Sequence, residues 1–325
     1  MANYFINKWN ELPLLKLGVL SLLAVAVCFA VLFYGSSGHL EVLPREISRT
    51  DSFCVSTLSY PEFHGGAKVA ELNSAVKALI EEELQKFRDS YKDADTAGQK
   101  GSFSCTYDVT LNTSSIVSIE FDMQFEGPGA AQSQDCVRTI NYSVKDGKVL
   151  QLKDVFLKDI PYADILTVLS FDHFVSSPES PSFGLLLDGL KPIDSTYKNF
   201  SLSSDGMLIS FDQDEIAASA EGVQSVLIPY DSISNLLEKR LIFSLPPSIR
   251  VSSGLHDKPV LSRETLNEQL CDLVLKDAKV VVEKGGACSE LDAFRSYWKC
   301  KGGKADAADV EAAANYNSEK PSAEE

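Results

Sequence analysis

An uncharged apolar run from Leu17 to Tyr34 constrains this chain more than any other feature. With Leu12–Leu15 and the single Lys16 it is long enough for a membrane-spanning helix, which takes about 20 apolar residues. A helix satisfies its own backbone amides inside lipid. Pro13 suits the first turn of such a helix, where its missing N–H costs nothing. A cleaved signal peptide would have an apolar core of about 7–15 residues, shorter than this one. A lipoprotein reading centres on Cys28, but Val27 precedes it where a small residue is needed. The reading taken is an uncleaved single-pass anchor over residues 13–34 behind a short cytosolic tail, 1–12.

Charge around the run orients it weakly. Lys8 and Lys16 lie before it and Arg45 and Arg49 behind it. The cysteines decide the side. Cys54, Cys105, Cys136, Cys271, Cys288 and Cys300 form an even set beyond the anchor, with no CxxC or Cys/His spacing for zinc. They imply disulfides in an oxidising compartment. The expected location is the bacterial cytoplasmic membrane, with the folded mass extracytoplasmic. Cys54 and Cys105 fall on predicted strands flanking one amphipathic helix, so this pair is the expected first bridge. Cys288 and Cys300 flank a predicted helix, which would hold them about 18 Å apart. Either that segment is not a full helix, or Cys271 takes one of them and Cys136 the other.

The formal charge is −16, from 46 acidic against 30 basic residues. That excludes nucleic acid as a partner and favours basic ones.

Hydrophobic periodicity gives an α+β chain of antiparallel sheets and amphipathic helices. Residues 35–50 read as a polar linker. A first module, 51–150, opens with a strand over 51–59. A helix follows whose stripe is Val69, Leu72, Val76, Ile80, Leu84, Phe87 and Tyr91. Strands at 104–112, 116–125, 137–144 and 149–152 complete it, the last after an Asp146-Gly147 turn. A second module, 151–243, has a helix from Pro161 to about Phe174 and a long loop over 175–199. Strands at 200–203, 207–211 and 225–229 follow, then a helix from Asp231 to Lys239. Residues 244–301 form a Cys-containing extension, and 302–325 an acidic, Ala-rich tail without apolar periodicity.

Catalytic signals are sparse. There is no GxSxG, P-loop, Rossmann glycine or HExxH pattern. The expectation is a protein that is not an enzyme and takes no cofactor or metal. Four residues stand out as weak binding candidates. His64 precedes Gly65-Gly66, while Asp212, Asp214 and Glu215 cluster after a strand without the glycine of an EF-hand loop.

Several segments in order resemble a pair of bacterial envelope modules. One is the N-terminal module of the peptidoglycan deacetylase PdaC. The other is the C-terminal module of the lysozyme-sensing anti-sigma factor RsiV. The first likeness rests on Tyr60-Pro61, the helix around Leu72-Asn73 and the strands 104–144. The second rests on Asp146-Gly147-Lys148, Asp154-Val155-Phe156, Asp205-Gly206, Phe211, Gly222 and Ile228-Pro229-Tyr230. Where the family often carries Gly-Gly-Ala-His between central strands, this chain has Gly127-Pro128-Gly129-Ala130-Ala131-Gln132. No deacetylase domain follows, and the segment before the anchor is too short for a sigma-factor-binding domain. The resemblance therefore implies a binding role, with peptidoglycan or a lysozyme-like cationic protein as partner. A hydrolase of cell-wall glycans, or a structural partner of another envelope protein, are the alternatives.

Overall fold

The computed structural model describes residues 39–66, 68–92, 98–177 and 181–245. The expected anchor, the tail at 302–325, nearly all of 244–301 and Cys271, Cys288 and Cys300 lie outside them. Among the described residues no helix is long and apolar enough to cross a membrane.

A six-stranded sheet, ordered β1-β2-β3-β4-β5-β6, is the larger element. Its strands are β1 (Glu41–Thr50), β2 (Cys54–His64), β3 (Gly101–Asn112), β4 (Ile116–Glu126), β5 (Gln134–Ser143) and β6 (Lys148–Val149). Strand β1 occupies the stretch read as a linker. Both of its faces are largely exposed, so it carries no alternation to announce it. All neighbours pair antiparallel except β2 and β3, which run parallel. The sheet is thus not wholly antiparallel. A parallel pair needs a crossover, and helix α1 (Val69–Tyr91) supplies it.

Helix α1 buries the expected stripe of Val69, Leu72, Val76, Ile80, Leu84 and Phe87. Phe87 packs against Phe103 of β3 and Phe125 of β4, with centroids 6.3 and 5.6 Å away. The Tyr142 hydroxyl of β5 donates to the Lys68 carbonyl at the start of the helix, 2.8 Å. Glu71 in the first turn and Arg88 in the last complement the helix dipole.

The parallel pairing overturns the expected Cys54–Cys105 bridge. Register sets Cys54 opposite Gly101 and Cys105 opposite Leu58. The two cysteines are on neighbouring strands but offset by four residues, roughly 13 Å at the strand rise. A disulfide needs Cα atoms about 4.4–6.8 Å apart. Cys54, Cys105 and Cys136 are all buried thiols, and the expected bridge from Cys136 runs to cysteines that lie outside the described residues.

A second, three-stranded antiparallel sheet contains β7 (Phe200–Leu202), β8 (Gly206–Phe211) and β9 (Gln224–Pro229). It shares one core with the long helix α3 (Tyr162–Ser176) and with shorter helices: α2 (Leu152–Val155), α4 (Phe183–Gly189), α5 (Tyr230–Ile233) and α6 (Lys239–Ser244). Leu111 and Ile116 from the large sheet join that core. Helix α4 lies inside the expected 175–199 loop, its start capped by Ser182. At the centre, the Tyr197 hydroxyl sits 2.6 Å from Thr167 Oγ1, both residues buried. From Glu41 onward the described residues fall in one compact unit, so the modules expected at 51–150 and 151–243 are continuous in space.

Candidate functional site

Polar side chains join the two sheets where β7 crosses β3, β4 and β5. Thr110 Oγ1 donates to the Leu202 carbonyl at 2.8 Å. The Leu202 amide donates to Ser118 Oγ at 2.8 Å, and Ser118 donates to Asn141 Oδ1 at 2.7 Å. Asn141 Nδ2 completes the chain to the Phe200 carbonyl, 2.6 Å. Every group in this buried network has a partner, the condition under which buried polarity is tolerated.

The acidic loop after β8 belongs to this seam. Asp212 accepts from Arg138 Nη1 of β5 at both oxygens, 2.8 and 3.1 Å, and from the Val137 amide at 2.9 Å. Arg138 Nη2 also reaches Glu83 of α1, 3.0 Å. Burial pushes Glu83 up, but Lys86 and Arg138 outweigh it and hold the carboxyl below its usual range. Glu215 Oε2 accepts from the Asp212 amide at 2.8 Å, and burial raises this carboxyl. Asp214, at φ 69°, is bonded by the Ser219 hydroxyl. The structure therefore makes Asp212 a latch between sheets, with Glu215 bracing it from within the loop and Asp214 turned to Ser219. Among the described residues no group of three ligating side chains is placed to hold a metal ion.

His64 ends β2 opposite Glu41, with Nε2 3.9 Å from Glu62 Oε2 and no hydrogen-bond partner. It shares no bond with the acidic loop. His173 stacks edge-on against Phe174, a packing role.

The feature sequence reasoning missed is the sheet face turned away from α1. Asp108 of β3 stands directly opposite Glu120 of β4, and Asp122 is two residues along. Like charges directly opposite on a sheet are destabilising. Glu120 accepts from Ser201 Oγ at 3.1 Å and Ser210 Oγ at 3.4 Å. Burial raises its pKa despite these bonds, and Asp122 and Asp108 add to the rise. Packing around the Asp122 carboxyl raises it as well, with Asp108 the second cause. The period-2 run Ser102, Ser104, Thr106, Asp108 and its partner run Glu120, Asp122, Gln124, Glu126 carry this face in plain sight.

Residues 153–231 match the family DUF3298, described as a protein of unknown function. Peptidoglycan-N-acetylmuramic acid deacetylase PdaC of Bacillus subtilis (strain 168) is 24% identical over 188 residues, 57% of this chain and 39% of the relative. The chain thus spans well under half of that curated relative's length. A DUF3298 structure from Bacteroides fragilis NCTC 9343 aligns with TM-score 0.48 and 17% identity, over 68% of this chain and 99% of that one. One from Pseudomonas aeruginosa PAO1 aligns with TM-score 0.43 and 17% identity, over 62% and 95%. The likeness to PdaC supports a PdaC-like module.

Proposed function

We propose that this chain is a binding protein of the bacterial envelope and not an enzyme, anchored by residues 13–34 with its folded part outside the cytosol. Its partner is peptidoglycan or a lysozyme-like cationic protein. The observation that carries the reading is the 188-residue likeness to PdaC, whose name places its own action on peptidoglycan. The lysozyme half rests on the sequence resemblance to the anti-sigma factor module, and the net charge of −16 favours it. A binding role also fits the use made of the candidate acids: Asp212 is spent on bonds that hold two sheets together, and Glu215 on the Asp212 amide within the loop. The extracytoplasmic placement draws on the apolar segment and the envelope relative, because the described cysteines are thiols.

The test is affinity capture of the intact chain, in detergent or nanodiscs, by purified peptidoglycan sacculi and by immobilised lysozyme. Retention on at least one is expected. Passage through both sinks the reading.

A further inference from the structure

The strand register divides the side chains of the large sheet into two faces of very different charge. All three arginines on β1–β5, Arg45, Arg49 and Arg138, lie on the helix side. There they meet Glu62, Glu81, and the Glu83–Asp212 pair. The opposite face carries Glu46, Asp108, Glu120, Asp122, Glu126 and Asp135, and no Lys, Arg or His on β1 through β5. None of these six carboxylates forms an ion pair with a described residue. Serine, threonine and glutamine, with Val55 and Val137, fill the positions between them. Asp108, Asp122, Gln124 and Glu126 are exposed, and the small sheet overlies the end that holds Ser118, Asn141 and Glu120.

This arrangement carries an electrostatic cost that the Ser201 and Ser210 hydroxyls offset only at Glu120. Asp108 and Glu120 are direct cross-strand partners, a pairing that lowers stability. The acid face is thus not explained by solubility alone, which any scatter of charge would give.

We propose that the part of this face that the described residues leave open, around Asp108, Asp122, Gln124 and Glu126, is the docking surface for a basic protein, a deepening that rests on the binding role proposed above. Lysine and arginine side chains of the partner would meet the carboxylates, and the hydroxyl and amide groups between would take its polar groups. A glycan fits less well. No exposed aromatic ring on this face offers a stacking platform, and the carboxylates of peptidoglycan stem peptides would be repelled. Same-sign surfaces of this kind act mainly by steering encounter, so binding should be salt-sensitive.

The experiment uses the full chain in nanodiscs, with lysozyme and cytochrome c as basic probes and sacculi as the glycan probe. The face variant is Asp108→Lys/Asp122→Lys. A control, Glu81→Lys/Glu82→Lys, makes the same change in net charge on exposed positions of α1. The milder pair Asp122→Asn/Glu126→Gln serves if the first variant melts early. Wild type should bind a basic probe with an affinity that falls steeply between about 50 and about 300 mM salt. The face variant should lose about tenfold or more, and the control under about threefold. Equal losses in both variants, or none in the face variant, overturn the docking surface while leaving the binding role standing. Binding to sacculi alone overturns the basic partner. Binding to neither class of probe overturns both proposals.

Discussion

Arg138 on β5 and Asp212 on the loop after β8 are joined by one guanidinium nitrogen that reaches both carboxylate oxygens, at 2.8 and 3.1 Å. The second guanidinium nitrogen takes Glu83 of α1 at 3.0 Å, so one side chain ties the helix, the large sheet and the small sheet. Glu83 keeps only 4% of its side-chain surface exposed. Removing one member of such a buried set strands the other charges. Arg138→Met should cost about 3 kcal/mol in denaturant unfolding. Adding Glu83→Gln should restore part of that loss. A cost below about 1 kcal/mol would show that Lys86 and the Val137 amide suffice to hold the two carboxylates.

That latch shows what the sequence conceals. Nothing local links Arg138 to a loop 74 residues later, so Asp212 read as a loose acid. The α1 stripe was legible because one helical face packs on one sheet, and β3, β4 and β5 were found within a few residues. Strand β1 was hidden because its charges, Pro44 and two-sided exposure leave no period. The Cys54–Cys105 error has a different origin. The bridge supposes that the two strands are neighbours, which they are, but the register of a parallel pair is set by how α1 and its loops return the chain. The acid face was legible as alternation on β3 and β4, yet only the pairing of Asp108 with Glu120 reveals its density.

Glu120 gives a pH dependence of definite sign. Its folded pKa is raised from 4.5, so the native state holds the proton more firmly than the unfolded chain. Its stabilising contribution is full below that ordinary value and is lost as pH rises through the folded pKa. Glu120→Gln keeps an acceptor for Ser201 and removes the ionisation. The variant should melt above wild type at pH 7, and the gap should shrink toward pH 4. A gap that widens on acidification would mean Glu120 is stabilised as an anion.

The thiols test the cysteine chemistry directly. Burial drives Cys105 and Cys136 up to about 12, with Asp122 adding for Cys105 and Arg138 opposing for Cys136. Buried thiols of that kind are inert toward alkylation at neutral pH. In the native protein, neither should take up iodoacetamide, whereas both should label fully in denaturant. A non-reducing peptide map should recover Cys54 as a thiol as well. A Cys54–Cys105 disulfide would contradict the β2–β3 register.

Two glycines offer a paired test of the backbone. Gly206 begins β8 opposite Pro229, and a Cβ there would strike the Ile228 carbonyl and the Pro229 Cα. These are backbone atoms of the neighbouring strand, so relief requires parting β8 from β9. Gly206→Ala should cost about 2 kcal/mol, the range for a methyl forced into packed structure. Gly184, in the first turn of α4, is the counter-case, since a Cβ there meets nothing within 4 Å. Gly184→Ala should raise stability by about 0.5 kcal/mol, through the freedom the unfolded chain loses. Thermal melts of both variants beside wild type would decide it. Equal effects would mean that neither the β8–β9 contact nor the open space at α4 is as described.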